Sequence, residues 1–113
     1  MIAATVTLAT TGTSLFDLLN AAVAGTGKFS GTDRVCEVQI QAKTGTFHLV
    51  YKSGAVVLAT DSGFLFQSLA VDTTGTNSRF KFGPFNQNIL SLMDIYLAGA
   101  AGGETAGIVA YSI

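Results

Sequence analysis

The last third of the chain reads SRFKFGPFNQNILSLMDIYLAGAAGGETAGIVAYSI from Ser78 to Ile113, and in three of its segments apolar residues recur at every second position. Phe80 and Phe82 alternate with Arg79 and Lys81; Met93, Ile95 and Leu97 alternate with Asp94 and Tyr96; Val109, Tyr111 and Ile113 fall on one side of the final segment. Successive side chains of an extended chain point to opposite sides, so a period of two marks a strand with one face turned to a core. The only proline, Pro84, and a glycine-rich connection from Gly99 to Thr105 separate these segments. Together they predict the back half of a β-sandwich.

The front half supplies the remaining elements. Ile2 to Thr10 sets Thr5 and Thr7 against Val6 and Leu8, a β-branched alternation that predicts a first strand. The period then changes: Leu15, Leu18 and Leu19 lie at helical spacing, Ser14 is positioned as an N-cap, Asp17 falls in the first turn and Gly25 follows, which predicts a short helix from Ser14 to Ala24. In RVCEVQIQA, Cys36, Val38, Ile40 and Ala42 share one face, with Val35, Glu37, Gln39 and Gln41 on the other. Lys43 to Thr46 has the length of a hairpin turn and leads into a strand with Phe47, Leu49 and Tyr51 on one face. Ala55 to Thr60 is apolar on both faces, as in a central strand or one whose outer face meets another subunit, which makes Val56, Val57 and Leu58 candidate interface residues. A strand through GFLFQSLAVD completes a set of roughly seven or eight, spaced by turns. The expectation is a single all-β domain over residues 1–113, an antiparallel, jelly-roll-like β-sandwich with one short helix near its N-terminus. Its predicted core includes Val38, Ile40, Leu49, Phe82, Ile95 and Val109. The tripeptide Thr-Gly-Thr at residues 11–13, 44–46 and 74–76 is turn chemistry without a repeat, because helix follows the first copy and strands the others.

Composition narrows the functional classes. Charged residues make up 12% of the chain, against about 25% in an ordinary soluble domain, so the surface is built of Thr, Ser, Gly and Asn or is partly covered by other subunits. A homo-oligomer is expected, in the first instance a trimer. The six basic residues are scattered along the sequence and the net charge is −1, which argues against nucleic acid as the partner. A lone cysteine, Cys36, permits neither an intrachain disulfide nor a cysteine metal site, and no apolar run approaches a membrane span, so neither membrane nor Sec export is expected. No enzyme activity and no cofactor are predicted: His48 sits alone in a strand, the carboxylates are dispersed, and Gly25 to Lys28 lacks the spacing of a phosphate loop. Phe80, Phe82 and Phe85 fit a core better than a sugar-stacking platform, since the first two alternate with Arg79 and Lys81.

From Val35 to Ile113 the order of segments is distinctive in style. A polar-alternating strand is followed by a strand ending in Tyr-Lys before Ser-Gly, a threonine-rich loop, Arg-Phe-Lys-Phe, Asn-Ile-Leu leading into MDIYLAG, a glycine-rich turn and GIVAYSI. This order resembles the small jelly-roll or β-sandwich virion proteins of tailed bacteriophages, which decorate or cement capsids or occur in tails and head fibres; the helical segment has no counterpart in that pattern. The resemblance implies a structural virion protein, assembled in the host cytoplasm, that binds the major capsid protein or another virion protein on the capsid exterior as an oligomer. Arg79, Lys81, Asp94 and Tyr96 point away from the predicted core face and are the candidate partner contacts, with the loops at 25–32 and 99–105 beside them. The alternatives are a carbohydrate-binding module of lectin type and a tail or fibre component.

Overall fold

The computed structural model describes residues 2–22, 34–51, 65–71 and 78–113. Along them run β1 (Ile2–Thr7), β2 (Thr13–Ser14), α1 (Leu15–Ala22), β3 (Arg34–Val35), β4 (Glu37–Thr44), β5 (Thr46–Tyr51), β6 (Leu65–Ala70), β7 (Arg79–Phe82), β8 (Leu90–Ser91), β9 (Ile95–Gly99) and β10 (Thr105–Tyr111). The pairing is nested: β1 with β10, β2 with β9, β3 with β8, β4 with β7 and β5 with β6, all antiparallel. The chain is thus one long hairpin folded between β5 and β6. Rolling that hairpin brings β10 beside β4 and β9 beside β5. The result is a first sheet in the order β1-β10-β4-β7 and a second in the order β2-β9-β5-β6, with the short β3-β8 ladder apart from both. Eight strands rolled into two four-stranded sheets make a jelly roll, in agreement with the expected all-β antiparallel sandwich.

The inner faces of the two sheets form the core. Val6, Val38, Ile40 and Ile108 of the first sheet share one cluster with Phe47, Leu49, Leu69, Ile95 and Leu97 of the second. Helix α1 adds Leu15, Leu18 and Leu19 to the same cluster. Its start is fixed by Ser14, whose Oγ accepts the Asp17 N–H at 3.1 Å, satisfying a donor that has no carbonyl partner within the helix.

Several expectations are corrected by this topology. Lys43 to Thr46 is no hairpin, because β4 and β5 lie in different sheets; Gly45, at φ 70°, turns the corner between them. Val109 faces outward, and Ala106, Ile108 and Ala110 take the core side of β10. The last strand is apolar at both parities, so its neighbours choose: Ile108 stands opposite Ala4 on β1 and Ile40 on β4. Val35, assigned to a polar face, is 1% exposed because the chain breaks at Cys36 and Val35 pairs with Leu90 in the separate ladder. Phe82 is only half-buried, on a strand that among the described residues pairs with β4 alone, and Met93 and Tyr51 are exposed. Val56, Val57 and Leu58, like Gly25 and its loop, lie outside the described residues.

Candidate functional site

The parity that buries Val38, Ile40 and Ile108 turns their neighbours to the outer face of the first sheet. There Gln39 stands opposite Lys81 and Gln41 opposite Arg79 across the β4-β7 ladder, while Val109 and Gly107 of β10 flank the same two glutamines on the other side. Ala3 and Thr5 of β1 complete the rows opposite Val109 and Gly107. These rows border a cleft of about 810 Å³, open to solvent, along which Lys43 also lies. Ala3, Thr5 and Gly107 are the small residues of its lining, and Gly107 matters most: a Cβ there would stand 3.0 Å from Lys43 Cε, so glycine lets the lysine stem lie close over β10.

The cleft is electrostatically one-sided. Among the described residues, three of the four basic ones, Lys43, Arg79 and Lys81, line it, and no carboxylate does. Glu37, two residues along β4 from Gln39, has its Oε1 3.7 Å from Lys81 Nζ and accepts from Gln39 Nε2 at 3.3 Å. That pair neutralises Lys81 in part and contributes little to stability, since the lysine is largely exposed. Among the described residues neither Lys43 nor Arg79 forms an ion pair. The aromatic residue beside the cleft is Phe80, half-buried against the core and stacked edge-on with Phe82 at 4.8 Å between ring centroids. With Phe80 and Phe82 committed to the core side, Phe85 is left as an isolated exposed ring and the three make no sugar platform.

Of the four residues expected at a partner surface, Arg79 and Lys81 are brought together here. Asp94 is half-buried in the turn before β9, its N–H bonded to Ser91 O at 3.1 Å, away from the cleft. Tyr96 is 8% exposed and packs with Val50 on the outer side of the second sheet, so it is buried and does not stand out at the surface as expected. The reason is that β9 is central: Ile95 and Leu97 fill the core while Tyr96 and Ala98 are covered on the opposite face. Gln39, Gln41 and Lys43 were missed as site residues. Their shared outward parity is visible in EVQIQAK, but their meeting with Arg79 depends on a β4-β7 pairing across more than a third of the chain.

A second group of polar side chains gathers near the Gly99 to Thr105 loop. His48 Nδ1 and Ser68 Oγ, cross-strand partners on β5 and β6, are 2.7 Å apart. Burial pushes the His48 pKa down, opposed by the negative charge of Glu104. Glu104 Oε2 accepts the Ala101 N–H at 2.8 Å, and this bond, with others to the loop backbone, holds the carboxyl below its ordinary value. Glu104 Oε1 is buried and makes no hydrogen bond among the described residues. Serine, histidine and glutamate are the parts of a nucleophilic triad, but no hydrogen bond joins Glu104 to His48, so the orienting link of such a relay is missing. Glu104 instead closes the loop, which is held further by Gly99 N–H to Ala9 O and Gly103 N–H to Leu8 O, each at 2.8 Å. The loop expected to carry recognition is therefore tied down. Among the described residues no three His, Cys, Asp or Glu side chains are grouped as a metal site, and no helix is long and apolar enough to cross a membrane.

No family model, curated protein or solved structure matches this chain.

Proposed function

We propose that the protein is a structural component of a virion, a decoration or cement protein of the kind carried by tailed bacteriophages. It binds the capsid exterior as a homo-oligomer, through the major capsid protein or another virion protein, and acts by adding contacts. The observation that carries this reading is the rolled hairpin itself: a jelly roll that presents one broad, polar, cation-lined sheet face. Jelly rolls recur among capsid and lectin domains, and the core commitment of Phe80 and Phe82 favours the first over the second. Fold alone remains analogy, and low charge together with the resemblance of Val35 to Ile113 supplies the rest.

The exposed apolar residues support self-association. Phe85, Ile89, Met93 and Ile113 are each at least 40% exposed, and Asn88 holds the C-terminal strand end by bonds of 2.9 and 3.2 Å to the Ile113 backbone. Covering such surface with a second copy gains about 25 cal/mol per Å², and a symmetric oligomer, a trimer in the first instance, engages a repeating lattice at several points at once. Purified protein is expected to co-sediment with capsids lacking it, to saturate at a fixed copy number per lattice site and to raise their rupture temperature. Sedimentation equilibrium is expected to give an oligomer at micromolar concentration. Saturable binding to a defined glycan, with absence from purified virions, replaces this reading with a lectin; location at the tail tip keeps the structural class and removes the cementing role.

A further inference from the structure

We infer that the outer face of the β1-β10-β4-β7 sheet is a docking site for an extended acidic polypeptide segment, with carboxylates at alternate positions of that segment meeting Lys81 in one row and Arg79 with Lys43 in the next. This deepens the virion reading and rests on it for the nature of the partner. The register supplies the geometry. Lys81 lies in the row of Gln39 and Arg79 in the row of Gln41, while Lys43, on the same face of β4 where the β10 register shifts, lays its stem over Gly107 in the Arg79 row, so the cations occupy two successive rows. Same-face positions along a strand repeat every ~6.8 Å, which is also the repeat at which an extended peptide presents every second side chain. Between and beside these charges lie Gln39 and Gln41, whose amides offer both donors and acceptors to a peptide backbone; the Gln41 amide forms no hydrogen bond among the described residues. Ala3 and Thr5 are short side chains on the β1 side of the cleft, and Gly107 lets the Lys43 stem lie close to the sheet.

Charge complementarity selects an anion, since among the described residues the cleft is lined by three cations and no carboxylate, with Glu37 beside Lys81 at its margin, in a chain whose net charge is −1. Single-stranded nucleic acid and acidic glycans are also anionic, but both gain much of their binding from aromatic rings on which bases or sugars stack. Among the described residues the one ring lining the cleft is Phe80, which packs against the core. A carboxylate-bearing peptide needs only the cations and the amides that are present.

The test is fluorescence anisotropy with the full chain and a short labelled peptide of strictly alternating glutamate and threonine. The comparison probes are a peptide of the same composition with its glutamates contiguous, an oligothymidylate and an oligogalacturonate. The alternating peptide is expected to bind saturably, to weaken with added salt, and to lose about tenfold in affinity in Arg79→Ala. Lys43→Ala is expected to follow Arg79→Ala, Lys81→Ala to lose less because Glu37 already neutralises that lysine, and Arg34→Ala, outside the cleft, to bind as the parent does. Equal binding of the contiguous peptide, tighter binding of either non-peptide polyanion, equal loss in Arg34→Ala, or no saturable binding overturns the inference. Capsid co-sedimentation separates it from the broader reading. Undiminished capsid binding by Arg79→Ala discards the cleft as the docking site and leaves the virion role standing, whereas peptide binding without any capsid binding does the reverse.

Discussion

The β1-β10-β4-β7 sheet and the β2-β9-β5-β6 sheet contribute inner faces of the same kind, Val, Ile, Leu and Ala on the one and Phe, Leu and Ile on the other. Their outer faces differ. On the second sheet Val50 and Ala98 are 0% exposed and Tyr96 8%, so the central strands are buried on both sides. On the first sheet the corresponding positions of β4 and β7 are Gln39, Gln41, Arg79 and Lys81, and they border an open cleft. In a rolled hairpin each arm feeds strands to both sheets, so the two faces are drawn from the same stretches of chain. The contrast teaches that their specialisation was written residue by residue, into alternating positions, rather than into separate segments.

Removing side chains from the covered sheet gives the largest effect. Ile95→Ala is expected to cost roughly 2–5 kcal/mol by denaturant unfolding, and Val50→Ala, on the opposite face of that sheet, about 1–3 kcal/mol. Val109→Ala on the open face of the first sheet is expected to cost under about 1 kcal/mol. Equal losses for Val50 and Val109 would erase the distinction between the faces. Next in size is Gly99→Ala. The added methyl would collide with Glu104 Oε1, so the variant is expected to lose about 1–3 kcal/mol. In a Glu104→Ala background the same change is expected to cost less, a coupling that a double-mutant cycle measures.

The inner half of this picture was legible from period alone. Val38, Ile40, Leu49 and Ile95 were assigned to the core and are at most 1% exposed, because each is flanked by residues that fix its parity. Parity failed where both options were apolar. Val109 and Ala110 are each acceptable inside, and only the pairing of β10 with β1 and β4 decides between them. Sheet membership was illegible for a related reason: the turn through Gly45 has the length of a hairpin whether its strands pair with each other or with more distant partners. Of the candidate contact residues, Arg79 and Lys81 are exposed together, on a strand that among the described residues pairs with β4 alone and has polar neighbours. Tyr96 was lost to burial on a strand whose second face nothing local announced.

Acidification discriminates the loop end of the molecule from the cleft. His48 is held below its ordinary 6.5 by burial, so the unfolded chain binds the proton first, and stability is expected to fall as pH drops from 6.5 toward the lowered native value. Glu104 is held below 4.5 by backbone N–H donors, so its contribution is full above 4.5 and is lost as pH falls through its native value. Both slopes have the same sign. Melting temperature against pH is expected to show an upper step that His48→Gln removes and a lower one that Glu104→Gln removes; a melting temperature that rises on acidification through these windows would reverse the assignment.

The smallest effect is expected at the cleft, and its smallness is informative. Lys43 and Arg79 are exposed and make no ion pair among the described residues, so Lys43→Ala and Arg79→Ala are expected to change unfolding free energy by no more than about 0.5 kcal/mol. Gly107→Ala is the sharper probe. A methyl there meets Lys43 Cε at 3.0 Å, but that atom belongs to a flexible exposed side chain that can swing aside, so stability should hold while the floor of the cleft rises. A strand interior also favours alanine over glycine through the unfolded state, which offsets any residual crowding. Unchanged unfolding in all three variants would mean that these cations are held at this face for a purpose other than the fold. A loss above about 2 kcal/mol in Arg79→Ala would instead make the arginine part of the structure and dissolve the contrast between the two outer faces.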